Sequence, residues 1–143
     1  HTNRMRWDWK IGFGPQFSDW RKTLQECSLL QFNAYQWLNC IKSVQNEWRI
    51  IPANQRLEIY FEDLLKDPKD VIGNVLEFLG YDDRGKYLDL SVLRRDNHGK
   101  WKQNLNSEQL AEISQIITDM LVRLGYETND NWLDEYLRTH QNL

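Results

Sequence analysis

The stretch "RLEIYF", residues 56–61, sets Leu57, Ile59 and Phe61 in alternation with polar or amphipathic neighbours, the two-residue period of a β-strand. The other patterned segments of the chain repeat their apolar residues at three and four, the period of a helix. A lone strand is not a stable structure, because its backbone donors and acceptors need a neighbouring strand. One strand signal among helical ones therefore has to find its sheet elsewhere. The order long helix, strand, helix is that of an α/β unit whose strand joins a parallel sheet. The expected fold class is α/β, mostly helical, with one short parallel-type strand at about residues 56–61.

The helical segments carry their own start and stop signals. From Trp20 to Trp48 the residues Leu30, Ala34, Trp37, Leu38, Ile41, Val44 and Trp48 form a stripe on one long helix, with a break near Ser28, and Pro52 stops it. Asp67 and Pro68 form an N-cap and first-turn pair, and Asp70 adds a charge that the helix dipole favours. Val71, Ile72, Val75, Leu76 and Leu79 supply that helix's apolar face, and Gly80 closes it. Further on, Asn106 caps a helix with Gln109 at its third position, Leu110, Ile113, Ile117, Met120, Leu121 and Leu124 make the stripe, and Gly125 ends it. The segment "NDNWLDEYLRTH" reads as one more short helix with Trp132, Leu133, Tyr136 and Leu137 facing inward. Residues 1–19, with Gly12, Gly14 and Pro15 among aromatics, show no sustained period and read as an irregular lead-in.

At 143 residues the chain has the size of one ordinary domain, and a net charge of -3 argues against a general nucleic-acid coat or a membrane-surface binder. No apolar run reaches the roughly 18 residues that cross a bilayer. Cys27 and Cys40 are thirteen residues apart in helical sequence, about 20 Å along a continuous helix, too far for a disulfide. Two free thiols fit a reducing compartment. An aromatic-rich, poorly patterned opening without an initiator Met, together with a strand that lacks its sheet, points to one partial domain spanning 1–143 and cut from a longer protein.

Two stretches have chemical potential. "YFEDLLKDP" delivers Phe61, Glu62 and Asp63 to the carboxyl end of the expected strand, where open α/β folds place ligands; the plainer reading makes Phe61 core and the acids caps of the next turn. "RRDNHGKWKQNLNSEQL", residues 94–110, opens a helix with a cationic loop. Between Arg84 and Lys102 six Lys and Arg face only Asp89 and Asp96. A local cationic loop leading into a helix N-terminus is a plausible anion seat. Arg94 and Arg95 are the candidates to grip a phosphate, Gly99 to allow close backbone approach, and Trp101 to pin the loop. The plainer reading is a solvated charged loop. His1, His98 and His140 have no metal-ligand spacing with the cysteines, so no metal is expected, and no Walker-type loop or nucleophilic triad is present.

In order, "NAYQWLNCIKSVQNEW", "RLEIYFEDLLKDPKDVIGNVLEFLG" and "RRDNHGKWKQNLNSEQ" resemble the C-terminal half of the sulfotransferases that use 3′-phosphoadenosine-5′-phosphosulfate (PAPS), over about residues 33–125. The first resembles a helix with a Tyr-x-x-Trp pattern, the second a strand and helix written Tyr-Glu-Asp-Leu, Asp-Pro and Phe-Leu-Gly. The third resembles the loop Arg-Lys-Gly-x-x-Gly-Asp-Trp-Lys before the last long helix.

The resemblance implies the C-terminal portion of a P-loop-like sulfotransferase fold, PAPS as co-substrate and PAP as product, and no metal. Arg94 and Arg95 match the Arg-Lys pair at the nucleotide 3′-phosphate, and Gly99, Trp101 and Lys102 match directly. Asp96 stands where the family has glycine, Lys100 where it has an acid, and Phe61 where it has the tyrosine beside the adenine. The family's 5′-phosphosulfate loop and catalytic base precede the matched region, so no catalytic residue is expected here and the chain alone should not catalyse. The implied partners are the nucleotide, an acceptor hydroxyl or amine, and the rest of the parent chain, with no nucleic acid. The competing expectation is a non-catalytic helical interaction module of sulfotransferase-like shape.

Overall fold

A computed structural model describes residues 15–82, 89–94, 96 and 98–140. Its described residues form seven α-helices and two 3-10 turns. They are α1 (Trp20–Glu26), α2 (Leu29–Trp48), a 3-10 turn at Ala53–Gln55, α3 (Phe61–Lys66), α4 (Pro68–Phe78), a 3-10 turn at Leu90–Val92, α5 (Trp101–Asn104), α6 (Ser107–Arg123) and α7 (Trp132–His140). The chain divides into two compact units, His1–Asn46 with Asn104–Leu143, and Glu47–Gln103.

The first unit holds every large side chain that is buried among the described residues: Trp20, Phe32, Leu110, Met120 and Trp132. The long helix breaks near Ser28, as expected, into α1 and α2, because Cys27 leaves helical geometry at φ -128° and ψ 167°. Ser28 then starts α2 with a reciprocal cap: its hydroxyl accepts from the Gln31 amide at 3.1 Å while its own amide donates to Gln31 Oε1 at 3.1 Å. The Ser28 hydroxyl also donates to Glu112 Oε1 at 2.5 Å, fastening the start of α2 to α6. Phe32, absent from the expected stripe, is the best buried residue of α2 at 2% exposure, whereas Val44, counted in that stripe, is exposed. The lead-in explains part of this. The Phe17 ring lies 5.7 Å from that of Phe32, and Gln36 Nε2 donates to the Pro15 carbonyl at 2.7 Å, so the aromatic before α1 selects which face of α2 is covered. Residues 1–14 of the lead-in lie outside the described residues.

The α6 start is the expected capping box. Asn106 Oδ1 accepts from the Gln109 amide at 2.9 Å and the Asn106 amide donates to Gln109 Oε1 at 3.0 Å. Leu110 and Met120 of the predicted stripe are buried. The helix closes where Gly125 takes φ 78°, letting the Tyr126 amide reach the Leu121 carbonyl at 3.0 Å. On α7, Trp132 is 6% exposed and its Nε1 donates to Thr118 Oγ1 at 2.8 Å, so a large apolar ring is buried with its one donor satisfied.

In the second unit Asp67 caps α4 through the Asp70 amide at 3.1 Å, with Pro68 in the first turn, and Gly80 (φ 81°) follows its end, as expected. The strand is not there. Residues 56–60 carry no regular secondary structure and are extended at both ends, Arg56 at φ -135°, ψ 138° and Tyr60 at φ -92°, ψ 137°, but no strand is formed among the described residues. No backbone hydrogen bond among the described residues joins 57–59 to another segment, and Phe61 is already the first residue of α3. The physical reason is the one that made the signal informative: backbone conformation is local, but a strand exists only through its neighbour. Among the described residues, eleven of the fifteen exposed large apolar ones lie in this unit, including Leu57, Ile59, Tyr60 and Phe61.

Candidate functional site

Every described candidate residue falls in the second unit. Phe61 follows the extended segment and opens α3, where Glu62 and Asp63 occupy the first turn and favour the positive end of the helix dipole. The plainer reading made those acids caps; they stand in the first turn, but the N-cap is Tyr60 and no side chain caps the helix. That reading also made Phe61 core, whereas it is 50% exposed.

Beneath the extended segment is a cavity of about 400 Å³, bounded by residues 57–60, by Asp63 and Lys66 of α3 and by Asp67, Asp70 and Val71. Tyr60 lines it and Phe61 does not. Glu58, Asp63, Asp67 and Asp70 outnumber Lys66 on its wall, so the cavity repels phosphate. A second, smaller cavity of about 130 Å³ lies in the first unit beside Phe17, Gln36 and Cys40. Neither is lined by a residue of loop 94–102.

That loop begins after Asp89, whose carboxylate caps the Leu90–Val92 turn by accepting from the Ser91 amide at 2.9 Å. The hydrogen bonds from Ser91 hold the Asp89 carboxyl below its ordinary range. Arg94 is exposed and forms no hydrogen bond or ion pair with another described residue, which leaves its guanidinium open to an external anion. Arg95 lies outside the described residues, as do Arg84 and Lys86. Asp96 and Lys100 form an ion pair at 3.9 Å across the turn that contains Gly99. Gly99 sits at φ 74° with nothing within 4 Å of where a Cβ would lie, so glycine is needed there for backbone conformation and not for space.

Trp101 is 38% exposed and is not a buried anchor; the Lys102 ammonium lies 5.5 Å from its ring centre. The helix that follows the loop directly, α5, spans only Trp101–Asn104, too short to present a dipole. At α6 the capping box already occupies two of the N–H groups of the helix start, those of Asn106 and Gln109. The helix-terminus argument for an anion seat is thus replaced by one from side chains: Arg94, Lys100 and Lys102 are the described cations. The Asp96–Lys100 pair was missed at the sequence level, although its spacing of four with opposite charges was the signal.

Among the described residues no group of three or more His, Cys, Asp and Glu is arranged to hold a metal ion, and no helix is long and apolar enough to cross a membrane. Cys27 and Cys40 are both free thiols.

The comparison with curated proteins and that with solved structures found no match. The model of the Sulfotransferase family matches residues 12–84, just over half of the 143. The match takes in the extended segment, Phe61, the Asp67–Pro68 step and Gly80, begins earlier than the resemblance at residue 33, and ends before loop 94–102. With its helix–extended segment–helix order inside the matched span, the chain belongs to the sulfotransferase family.

Proposed function

We propose that this chain forms part of a PAPS-dependent sulfotransferase and holds the adenosine 3′-phosphate end of the nucleotide. Arg94 and Arg95 are the phosphate ligands, Lys102 adds charge, Gly99 allows the turn, and Phe61 offers its ring to the adenine. The observation that carries this reading is the exposed guanidinium of Arg94, without a described partner, at the head of a glycine-turned cationic loop in a chain of the sulfotransferase family. The exposure of Phe61 supports it, since a ring that is 50% exposed is available for stacking. The donor set suits a dianion: guanidinium and ammonium groups make charge-assisted hydrogen bonds, each contributing about 1.5–3 kcal/mol when shielded.

When bound, PAPS supplies a sulfuryl group whose bond to the nucleotide's phosphate oxygen breaks as a bond to the acceptor oxygen or nitrogen forms. The residues here act by alignment. Arg94 and its neighbours neutralise the 3′-phosphate and fix the nucleotide's orientation, and Phe61 excludes water from one face of the base. Phe61 lacks a hydroxyl, so it contributes ring contact and no hydrogen bond. The acceptor class is a hydroxyl or amine.

Titration with adenosine 3′,5′-bisphosphate and with adenosine 5′-monophosphate, read by calorimetry or thermal shift, tests the assignment. Tighter binding of the 3′-phosphorylated nucleotide is expected. Equal binding, or none at millimolar ligand, rejects it and favours the second reading, a helical interaction module, for which the exposed apolar side chains of the second unit speak.

A further inference from the structure

We infer that Asp96 is an internal anion that competes with the bound phosphate for Lys100, and so sets how tightly the loop takes its ligand. This rests on reading loop 94–102 as a phosphate grip and adds a residue that tunes it. The observation is the Asp96–Lys100 ion pair at 3.9 Å, which closes over the turn at Gly99. Gly99 takes φ 74° beside the pair, and the Lys102 amide donates back to the Gly99 carbonyl at 3.0 Å.

The two side chains are exposed, Lys100 by 49% and Asp96 by 71%. A solvent-exposed pair of this kind is weak and readily exchanged for a stronger anion. A phosphate dianion offers Lys100 more charge than one carboxylate does. Once the ammonium turns to it, the Asp96 carboxylate is left beside a like charge, which costs affinity. Asp96 is therefore a positioning residue, acting through Lys100, and its presence weakens binding and speeds release.

The test uses the full chain in four forms: unaltered, Asp96→Asn, Lys100→Gln, and both together. Adenosine 3′,5′-bisphosphate and inorganic pyrophosphate are titrated into each at low salt, with Kd read from calorimetry or amide chemical shifts. Asp96→Asn is expected to tighten binding by about two- to five-fold, the scale of an exposed charge interaction. In the Lys100→Gln background most of that gain should vanish, because the acid acts through the ammonium. An unchanged or weaker Kd for Asp96→Asn overturns the inference, and so does an equal gain with and without Lys100, which would mean long-range charge alone. Tightened pyrophosphate binding without any nucleotide binding keeps the inference and rejects the nucleotide assignment. Failure of all four forms to bind either probe rejects both.

Discussion

The guanidinium of Arg56 lies 5.2 Å from the centre of the Trp48 ring and donates a hydrogen bond to the Trp48 carbonyl. A side chain at the start of the extended segment thereby ties that segment to the last turn of α2 and satisfies a carbonyl that the helix end leaves open. Arg56→Ala removes the stacked cation and the donor together and should lower stability by about 1–2 kcal/mol. Arg56→Lys should recover only part of this, since an ammonium lacks the planar fork. Urea denaturation followed by tryptophan fluorescence reads both, and equal stability of all three proteins would contradict the assignment.

Trp132 and Thr118 give a sharper test in the first unit. Thr118→Val keeps the shape but leaves the buried indole N–H without its acceptor, a loss of about 1–3 kcal/mol. Trp132→Ala opens a cavity as well and should cost about 3–5 kcal/mol. Thermal or urea unfolding gives the ranking, and a Thr118→Val protein as stable as the parent would show that the hydrogen bond contributes nothing.

The capping predictions compare two helix starts of the same type. Asn106→Ala should cost about 1 kcal/mol, the usual loss for an N-cap. Ser28→Ala loses a cap and the bond to Glu112, so it should cost more than Asn106→Ala in the same urea series. The reverse order would mean that the Glu112 contact is immaterial.

Burial raises the Cys27 thiol above its ordinary range, and the nearby Glu112 and Glu26 carboxylates push it further. Its Sγ also donates to the Thr23 carbonyl at 2.9 Å. In a Cys40→Ser background, labelling of Cys27 by a thiol reagent should be slow at neutral pH, and Glu112→Gln should speed it. The sign for stability follows from the raised value. The folded state holds the thiol proton more tightly than the unfolded chain, so the contribution is fully present below the ordinary thiol value of 9.0 and is lost as pH rises through the higher folded value. Chemical denaturation in a pH series that starts below 9.0 and continues above it should show stability falling with pH, less steeply in Glu112→Gln.

Arg94→Ala is the direct test of the loop. Loss of one charge-assisted contact should weaken adenosine 3′,5′-bisphosphate binding by about 10- to 100-fold and leave the unfolding midpoint within about 0.5 kcal/mol of the parent, since the side chain makes no described polar contact. A Kd unchanged by Arg94→Ala would remove it from the site.

Signals that act within a few residues were legible. The Asp67–Pro68 start, the Asn106–Gln109 box and the glycine closures at 80 and 125 appear as the sequence predicts, because each is a bargain between near neighbours. The break near Ser28 belongs with these, because the Ser28–Gln31 exchange that starts the second helix is again made between near neighbours. Burial was harder. Phe32 is covered by Phe17, fifteen residues earlier and outside any helical period, so no stripe could single it out. The strand failed for a related reason: alternation specifies an extended backbone, and only a second segment can convert it to a sheet. In the candidate site the cations were visible as composition, whereas the Asp96–Lys100 pairing and the acid-walled cavity depend on how the turn and α3 fold back.

The segment from Leu57 to Phe61 offers main-chain amides that no described residue accepts from, between exposed aliphatic and aromatic side chains, the recipe for cross-β stacking of identical molecules. What opposes this is the charge interleaved with it: Glu58 inside the run and Glu62 and Asp63 directly after it act as gatekeepers through mutual repulsion. Acidification or high salt should therefore turn this chain from dispersed to fibril-forming well before its helices melt.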